Sequence, residues 1–468
     1  MRVALTGATG FLGRAVAAAL LARGPRGAGA RRARGPAPMS PGSAELRAPA
    51  ADPGTAAWTT GLAEAFPSLR GLRIAIVDYL LVDPASGKIN TGGTETYALT
   101  LTEVARALGG DVLHLQRSRV PLAPREVRPG LSLRTWRRPR ELPALLRAAR
   151  EEAAGRPVVT ILFIEDFVPG PEDQPSVFLH HGIVHDGAFE RHPLRWPMTW
   201  VRDARKLWVW HRRRRQHYRL VTRTTRTVSV DTNVANVTRY MFPQLDWAGR
   251  ITYVPNFGTL LPRAEVIEKW RHGRPVTVLF ARRFVMKRGT FLWADALADL
   301  APRFPQVEFR CVGRGPGEPW LRALAGRYPN VAVLERPHAE MVEEHRRAHL
   351  AVVPSEWSEG TSLSAIEAMC AGAAVVSTDV GGLGNLVVPG ATGVIAPATP
   401  GAFRDAVARL LERPAEARRL GLAGYRVAAA SFSMPVWSER MCRVMAEVVA
   451  DPAPRPPPRR VAPAPGVL

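Results

Sequence analysis

Two successive sets of short apolar runs, each run followed by a helical pattern, constrain this chain more than any other feature. The first set starts at Leu72–Asp78 and continues through Val112–Leu115, Val158–Ile164, Val177–His181 and Thr227–Val230. The second comprises Val276–Phe280, Val307–Val312, Val331–Leu334, Leu350–Val353 and Val375–Ser377. Short runs dense in Val, Ile and Leu read as strands buried on both faces, and a helix between consecutive strands makes their pairing parallel. The predicted fold is α/β, with two Rossmann-like, doubly wound domains in series. In such sheets ligands bind beyond the carboxyl ends of the strands, so the loops that leave those runs are where chemistry is expected.

At 468 residues the chain exceeds one ordinary core and suits two domains with additions. Residues 1–24 read as a Rossmann-like strand, Gly turn and helix, and 25–71 as a disordered linker rich in Gly, Pro, Ala and Arg. The first full domain is expected over 72–262 and the second over 263–430, with the join inside 258–275. A helix over 431–450 is expected to return toward the first domain, followed by a disordered Pro-rich tail at 451–468.

Three cysteines without paired spacing (Cys311, Cys370, Cys442) argue against a disulfide scaffold or a Cys-based metal site and favour a reducing, cytoplasmic setting. No metal-ligand pattern is seen, and no cofactor is expected. The longest apolar runs, Ala15–Ala22 and Val158–Ile164, fall far short of the ~20 residues that a spanning helix needs. Gly, Thr and Arg14 interrupt the N-terminal apolar region too early for a secretory leader. The net charge of +23 invites a nucleic-acid reading. Anionic nucleotides or an acidic membrane surface fit it better, since no nucleic-acid-binding motif accompanies the charge.

Several strand-end loops carry the candidate site. Glu359-Gly-Thr-Ser-Leu-Ser-Ala-Ile-Glu367 follows the run Leu350–Val353 and enters a helix. Gly360, Thr361, Ser362 and Leu363 would present backbone N–H groups to an anion at the helix start. Glu359 stands at the mouth of the turn and Glu367 lies inside the helix. Ala281–Gly289 holds Arg282, Arg283 and Lys287, cations suited to a diphosphate; a solvated basic loop is the plain alternative. Gly313 opens another Gly loop, and Gly381-Gly382 a third. In the first domain, Gly92-Gly93 precedes a helix and His181 ends a strand, where it could hydrogen-bond a sugar or move a proton.

In this order, these motifs over residues 72–450 resemble the retaining glycosyltransferases of the GT-B fold in the large group called family 4. The resemblance rests on Glu359…Glu367, the Arg282…Lys287 loop, Gly92-Gly93, Gly381-Gly382 and the hinge-like Val254-Pro-Asn256. It implies two Rossmann-like domains facing a cleft and transfer of a sugar from a UDP-, GDP- or ADP-sugar to a hydroxyl of a glycan or lipid-linked acceptor, without metal. Arg282 and Lys287 would then offset charge on the departing diphosphate, Glu367 would hold the ribose, and Glu359 and His181 would touch the transferred sugar. One departure stands out: Asn385 occupies a position where the family usually has Glu. Either Arg282 or Arg283 could face the diphosphate.

Two further segments carry expectations. Thr6-Gly-Ala-Thr-Gly-Phe-Leu-Gly13 resembles the dinucleotide loop of short-chain dehydrogenases and epimerases, but no Tyr-x-x-x-Lys accompanies it. It reads as a fused fragment without NAD binding. An NAD-binding epimerase-like protein and a basic nucleic-acid-binding protein remain the alternatives. Trp196–Arg226 sets four tryptophans beside many cations, as suits a helix lying on the inner face of the plasma membrane; a surface helix with its tryptophans on the core is the equal alternative.

Overall fold

The computed structural model describes residues 58–90, 92–182, 199–271, 276–337, 340–357 and 359–461. The N-terminal fragment at 1–24, most of the expected linker, and Trp196 lie outside the described residues.

The first sheet contains β1 (Arg73–Asp78), β2 (Asp111–Arg117), β3 (Arg125–Arg128), β4 (Leu131–Trp136), β5 (Val158–Leu162), β6 (Ser176–His180), β7 (Arg226–Ser229) and β8 (Ile251–Tyr253). Its order is β3-β4-β2-β1-β5-β6-β7-β8. Every pairing is parallel except the β3/β4 hairpin. The second sheet contains β9 (Thr277–Ala281), β10 (Glu308–Val312), β11 (Val331–Leu334), β12 (Leu350–Val353), β13 (Ala374–Thr378) and β14 (Gly393–Ala396). Its order is β11-β10-β9-β12-β13-β14, parallel throughout. In each sheet the central strand comes first in sequence and later strands are added outward on both sides, which leaves a switch point at β1/β5 and at β9/β12.

The apolar runs are explained by burial on two faces. Along β1, Ile74 and Ile76 enter one core cluster while Ala75 and Val77 enter the cluster on the opposite face. Along β9, Val278 and Phe280 separate from Leu279 in the same way. The helices that cover these faces near the site are α1 (Gly93–Ala107), α2 (Leu142–Glu152), α3 (Thr199–Arg223), α4 (Asn233–Met241), α5 (Arg263–Lys269), α6 (Thr290–Arg303), α7 (Glu318–Arg327), α8 (Met341–Arg347), α9 (Leu363–Cys370), α10 (Pro400–Glu412), α11 (Pro414–Ser431) and α12 (Met434–Ala450). The last of them, α12, inserts Trp437, Met441, Met445 and Val448 into the core of the first domain. There the Trp437 indole N–H donates to the Tyr97 hydroxyl at 3.1 Å.

Two stretches expected to be disordered are structured. In place of a linker running to residue 71, the chain is helical at Leu62–Ala65 and again at Pro67–Leu69. Leu62 and Leu69 are buried, and Trp58 and Phe66 pack against the same core. Their spacing at 58, 62, 66 and 69 is a helical stripe, masked in the sequence by surrounding Gly, Ala and Pro. The tail is likewise held through residue 461. The Asp246 N–H donates to the Arg459 carbonyl at 2.9 Å, and the Val461 N–H donates to the Gln244 carbonyl at 3.0 Å. Proline removes donors but leaves carbonyls, and the Thr225 hydroxyl uses one of them, Pro452 O, at 2.7 Å.

Candidate functional site

The loop that leaves β9 is set by close backbone approaches. At Gly313 (φ 151°) a Cβ would stand 2.0 Å from the Arg282 carbonyl oxygen, and at Gly289 (φ +75°) it would stand 1.7 Å from that of Pro354. Only glycine fits either position. The Gly313 loop is therefore the backing of the basic loop, and Gly289 locks that loop to the end of β12.

So held, the Arg282 side chain is 5% exposed and reaches across to the residues after β12. Its Nη1 donates to Ser355 Oγ at 3.0 Å and its Nη2 donates to Glu359 Oε1. Ser355 Oγ in turn donates to the other oxygen of Glu359, and Arg288 Nη1 lies 3.1 Å from Oε1. Burial alone would raise the Glu359 carboxyl, but Arg282, Arg288 and the Ser355 hydroxyl bring it down to about 2. Glu359 is thus a permanent carboxylate with three donors. Arg283 and Lys287 are exposed on the same loop. The Lys287 carbonyl accepts from the Glu356 N–H at 3.2 Å, which ties the turn Met286–Arg288 to the Glu359 segment.

Beyond Glu359 the chain enters α9. Ser362 is extended (φ −67°, ψ 119°) and makes no side-chain cap; its hydroxyl lies 3.2 Å from that of Ser364. The start of the helix therefore keeps uncapped N–H groups and the positive end of its dipole toward the cleft. Glu367 lies one turn into α9, with His345 Nε2 at 3.2 Å. Gly381-Gly382 serves this segment rather than standing open as a backbone donor. The Gly382 N–H donates to the Glu359 carbonyl at 2.5 Å, and a Cβ on Gly382 would meet Gly360 at 2.7 Å.

The first domain meets this segment directly. Asn256 Nδ2 donates to the Thr361 carbonyl at 2.6 Å, and the Thr361 hydroxyl donates to the Val230 carbonyl at 2.6 Å. A Cβ on Gly360 would lie 2.5 Å from the His181 carbonyl, and one on Gly93 would lie 3.4 Å from Leu363. Asn233 Nδ2 donates to the Gly381 carbonyl at 2.6 Å, while the Thr232 hydroxyl donates to Asn385 at 2.7 Å. Asn385 thus takes part in the contact between domains. Gly92 caps the start of α1 in extended conformation.

His181 differs from expectation. Its ring lies edge-on to Tyr97 (centroids 5.3 Å) and Phe163 (4.7 Å), and its Nε2 has no hydrogen-bond partner. Burial lowers it to about 4, so the ring is neutral near pH 7 and does not exchange protons there. Sequence reasoning missed Arg288 and Ser355, and it named Asn256 only as part of a hinge-like segment. Arg288 sits in the same basic run, but nothing in one dimension ranks it above its neighbours.

Two parallel-sheet α/β domains whose strand-end loops meet across a cleft define the GT-B architecture. The chain resembles sucrose-phosphate synthase from Thermosynechococcus elongatus in fold, with a TM-score of 0.59 and 21% identity over 81% of this chain and 99% of that one. Residues 275–413, the segment that holds Arg282, Glu359 and Glu367, match the family model of glycosyl transferases group 1. Among curated proteins, a glycogen synthase from Mycobacterium tuberculosis is 32% identical over 150 residues, covering 31% of this chain and 36% of that protein. A phosphatidyl-myo-inositol mannosyltransferase from the same organism is 29% identical over 185 residues, covering 38% and 48%. The chain spans less than half the length of these two relatives.

Proposed function

We propose that this chain is a retaining, metal-independent glycosyltransferase that moves a sugar from a nucleoside diphosphate to a hydroxyl acceptor in glycan, polysaccharide or glycolipid assembly. The observation that carries the proposal is the buried Arg282–Ser355–Glu359 set, with half-buried Arg288 against it, beside the uncapped start of α9. It places cations, a fixed carboxylate and helix N–H groups at one strand-end position, as a ligand with both phosphates and sugar hydroxyls requires.

In this reading the diphosphate meets Lys287, Arg288 and the start of α9, and Glu367 binds the ribose. Arg282 acts on the diphosphate from its place against Glu359, while Arg283 lies at the edge of the loop. Glu359 accepts hydrogen bonds from hydroxyls of the transferred sugar. The acceptor oxygen bonds to the anomeric carbon as the bond to the diphosphate breaks on the same face, and the acceptor proton passes to the departing diphosphate oxygen. That sequence needs no protein nucleophile. His181 contributes as a neutral wall.

The relatives' names, with glycogen and phosphatidyl-myo-inositol among them, support polysaccharide or lipid acceptors. No helix among the described residues is long and apolar enough to cross a membrane. A cytoplasmic protein resting on the inner membrane face through α3 fits this reading. Thermal shifts with UDP, GDP and ADP test the donor site. One of them is expected to raise Tm, and EDTA should leave turnover and anomeric retention, read by NMR, unchanged. A flat response to all three would overturn the proposal.

A further inference from the structure

Glu367 stands outside the Arg282–Glu359 cluster, and its carboxylate meets a different group. His345, in the last turn of α8, is 3% exposed and places its Nε2 3.2 Å from Glu367 Oε2. The two atoms are within ion-pair distance without hydrogen-bond alignment, and neither ring nitrogen has a hydrogen-bond partner among the described residues. A carboxylate can only accept, so the imidazole faces it with a proton on Nε2.

A helix as short as α8 does not hold a side chain rigidly by itself, and this one is clamped from two directions. Beside His345, the buried Glu344 accepts from Arg310 of β10 through Nε at 2.7 Å and Nη2 at 2.9 Å, and from Arg336 Nε at 3.2 Å. On the other side, Lys269 at the end of α5 is buried and donates from Nζ to the Ala348 carbonyl at 2.7 Å and to the Ala371 carbonyl. Ala348 caps the end of α8 and Ala371 the end of α9. One amine thus ties together the two helices that carry His345 and Glu367, and the spacing of imidazole and carboxylate is set by the fold. Buried ring nitrogens without hydrogen-bond partners cost stability, and an apolar side chain would fill the same space without that cost. What the imidazole adds is control of its neighbour. Glu367 is 24% exposed on a helix, with several rotatable bonds. Holding one of its oxygens removes rotamer freedom that it would otherwise lose on meeting a ligand.

We propose that His345 is a positioning residue that holds Glu367 for the hydroxyls of the nucleotide ribose, and that this pair makes the donor site select ribonucleotides over deoxyribonucleotides. The inference rests on the glycosyltransferase reading, in which Glu367 binds the ribose, and adds to it the residue that sets the selectivity. His345 touches no part of the donor in this arrangement and acts only through Glu367.

Calorimetric titration of the full chain tests this, with whichever of UDP, GDP and ADP raises its Tm and with the 2′-deoxy and 3′-deoxy counterparts of that nucleotide. The ribonucleotide is expected to bind about tenfold or more tightly than at least one deoxy counterpart, and Glu367→Ala should bring that ratio close to one. His345→Leu should cut the ratio to about a third or less by weakening the ribonucleotide, with affinity for the deoxy form unchanged. His345→Gln, whose amide can donate toward the same oxygen, should restore most of the ratio. In the Glu367→Ala background His345→Leu should change the ratio no further. Should His345→Leu fail to fold, His345→Asn, polar but too short to reach Glu367, takes its place with the same expectation. A ratio that survives loss of the imidazole, or an equal weakening of ribo and deoxy forms as a merely structural role would give, would overturn the inference. A ratio untouched by Glu367→Ala would also end it, while leaving the diphosphate site standing. A flat response to all three nucleoside diphosphates would fell the glycosyltransferase reading with it.

Discussion

At the scale of the residue, the site depends on which groups share one carboxylate. Glu359 and Arg282 were legible in the sequence because both sit in loops that follow strands. Ser355 and Arg288 were not, because their importance arises only when β9 and β12 lie side by side. Ser355→Ala removes a buried hydroxyl that both accepts from Arg282 and donates to Glu359. Steady-state kinetics should show kcat lower by roughly tenfold or more, with a stability loss of about 1–3 kcal/mol in denaturant titration. Lys287→Ala should depress turnover strongly yet leave Tm nearly unchanged, because Lys287 is exposed. A different residue governs pH dependence. Asp78 ends β1, and burial raises its carboxyl to about 7 while its Oδ2 finds no partner. Its neighbour His114, 3.8 Å away, is lowered to about 3 by burial and is neutral. Because the folded state binds this proton more tightly than the unfolded chain, Asp78 makes stability fall as pH rises from about 4 to 7, and the loss persists above that. Asp78→Asn should therefore raise Tm more at pH 8 than at pH 5; an equal change at both would refute the assignment.

At the scale of the element, the joints matter more than the strands. The central strands could be read because burial on both faces leaves continuous apolar runs. The hairpin β3/β4 and the edge strands β8 and β14 escaped notice: edge strands are short, and Arg125–Arg128 has only Val127 as an apolar residue. The glycines showed the opposite problem. They were visible, yet Gly313 and Gly381-Gly382 fit backbone against backbone instead of offering donors to a ligand. The joint between β9 and α6 is the sharpest case. Gly289→Ala would force a Cβ to within 1.7 Å of Pro354 O at a positive φ. A stability loss on the order of 3 kcal/mol or more is expected in chemical denaturation, together with weaker nucleoside diphosphate binding, since the turn that carries Lys287 and Arg288 must shift.

At the scale of the whole molecule, the net charge of +23 calls for an anionic partner, and α3 is the element on which the membrane proposal is tested. The sequence offered two readings of this helix, core-packed or membrane-bound, and the structure shows core packing on one face only, with the other face exposed. Trp210 and Arg214 pack inward. Leu207, 69% exposed, stands with His211, Arg215 and Arg219 on the outward face. One-dimensional spacing could not separate the faces, because aromatic and cationic residues occur on both. An apolar residue among cations on an exposed helical face is suited to an anionic bilayer, where each cation near the surface contributes ~1 kcal/mol. The full chain should sediment with vesicles containing phosphatidylserine at low salt and release at high salt. The double variant Leu207→Asp, Arg215→Glu should bind them far less. Both residues lie on the exposed face of α3 in the first domain, apart from Arg282, Lys287 and Arg288, so nucleoside diphosphate affinity should stay at the parent value. Undiminished sedimentation of the double variant would remove α3 from the membrane, and equal binding to neutral vesicles would remove the charge argument altogether.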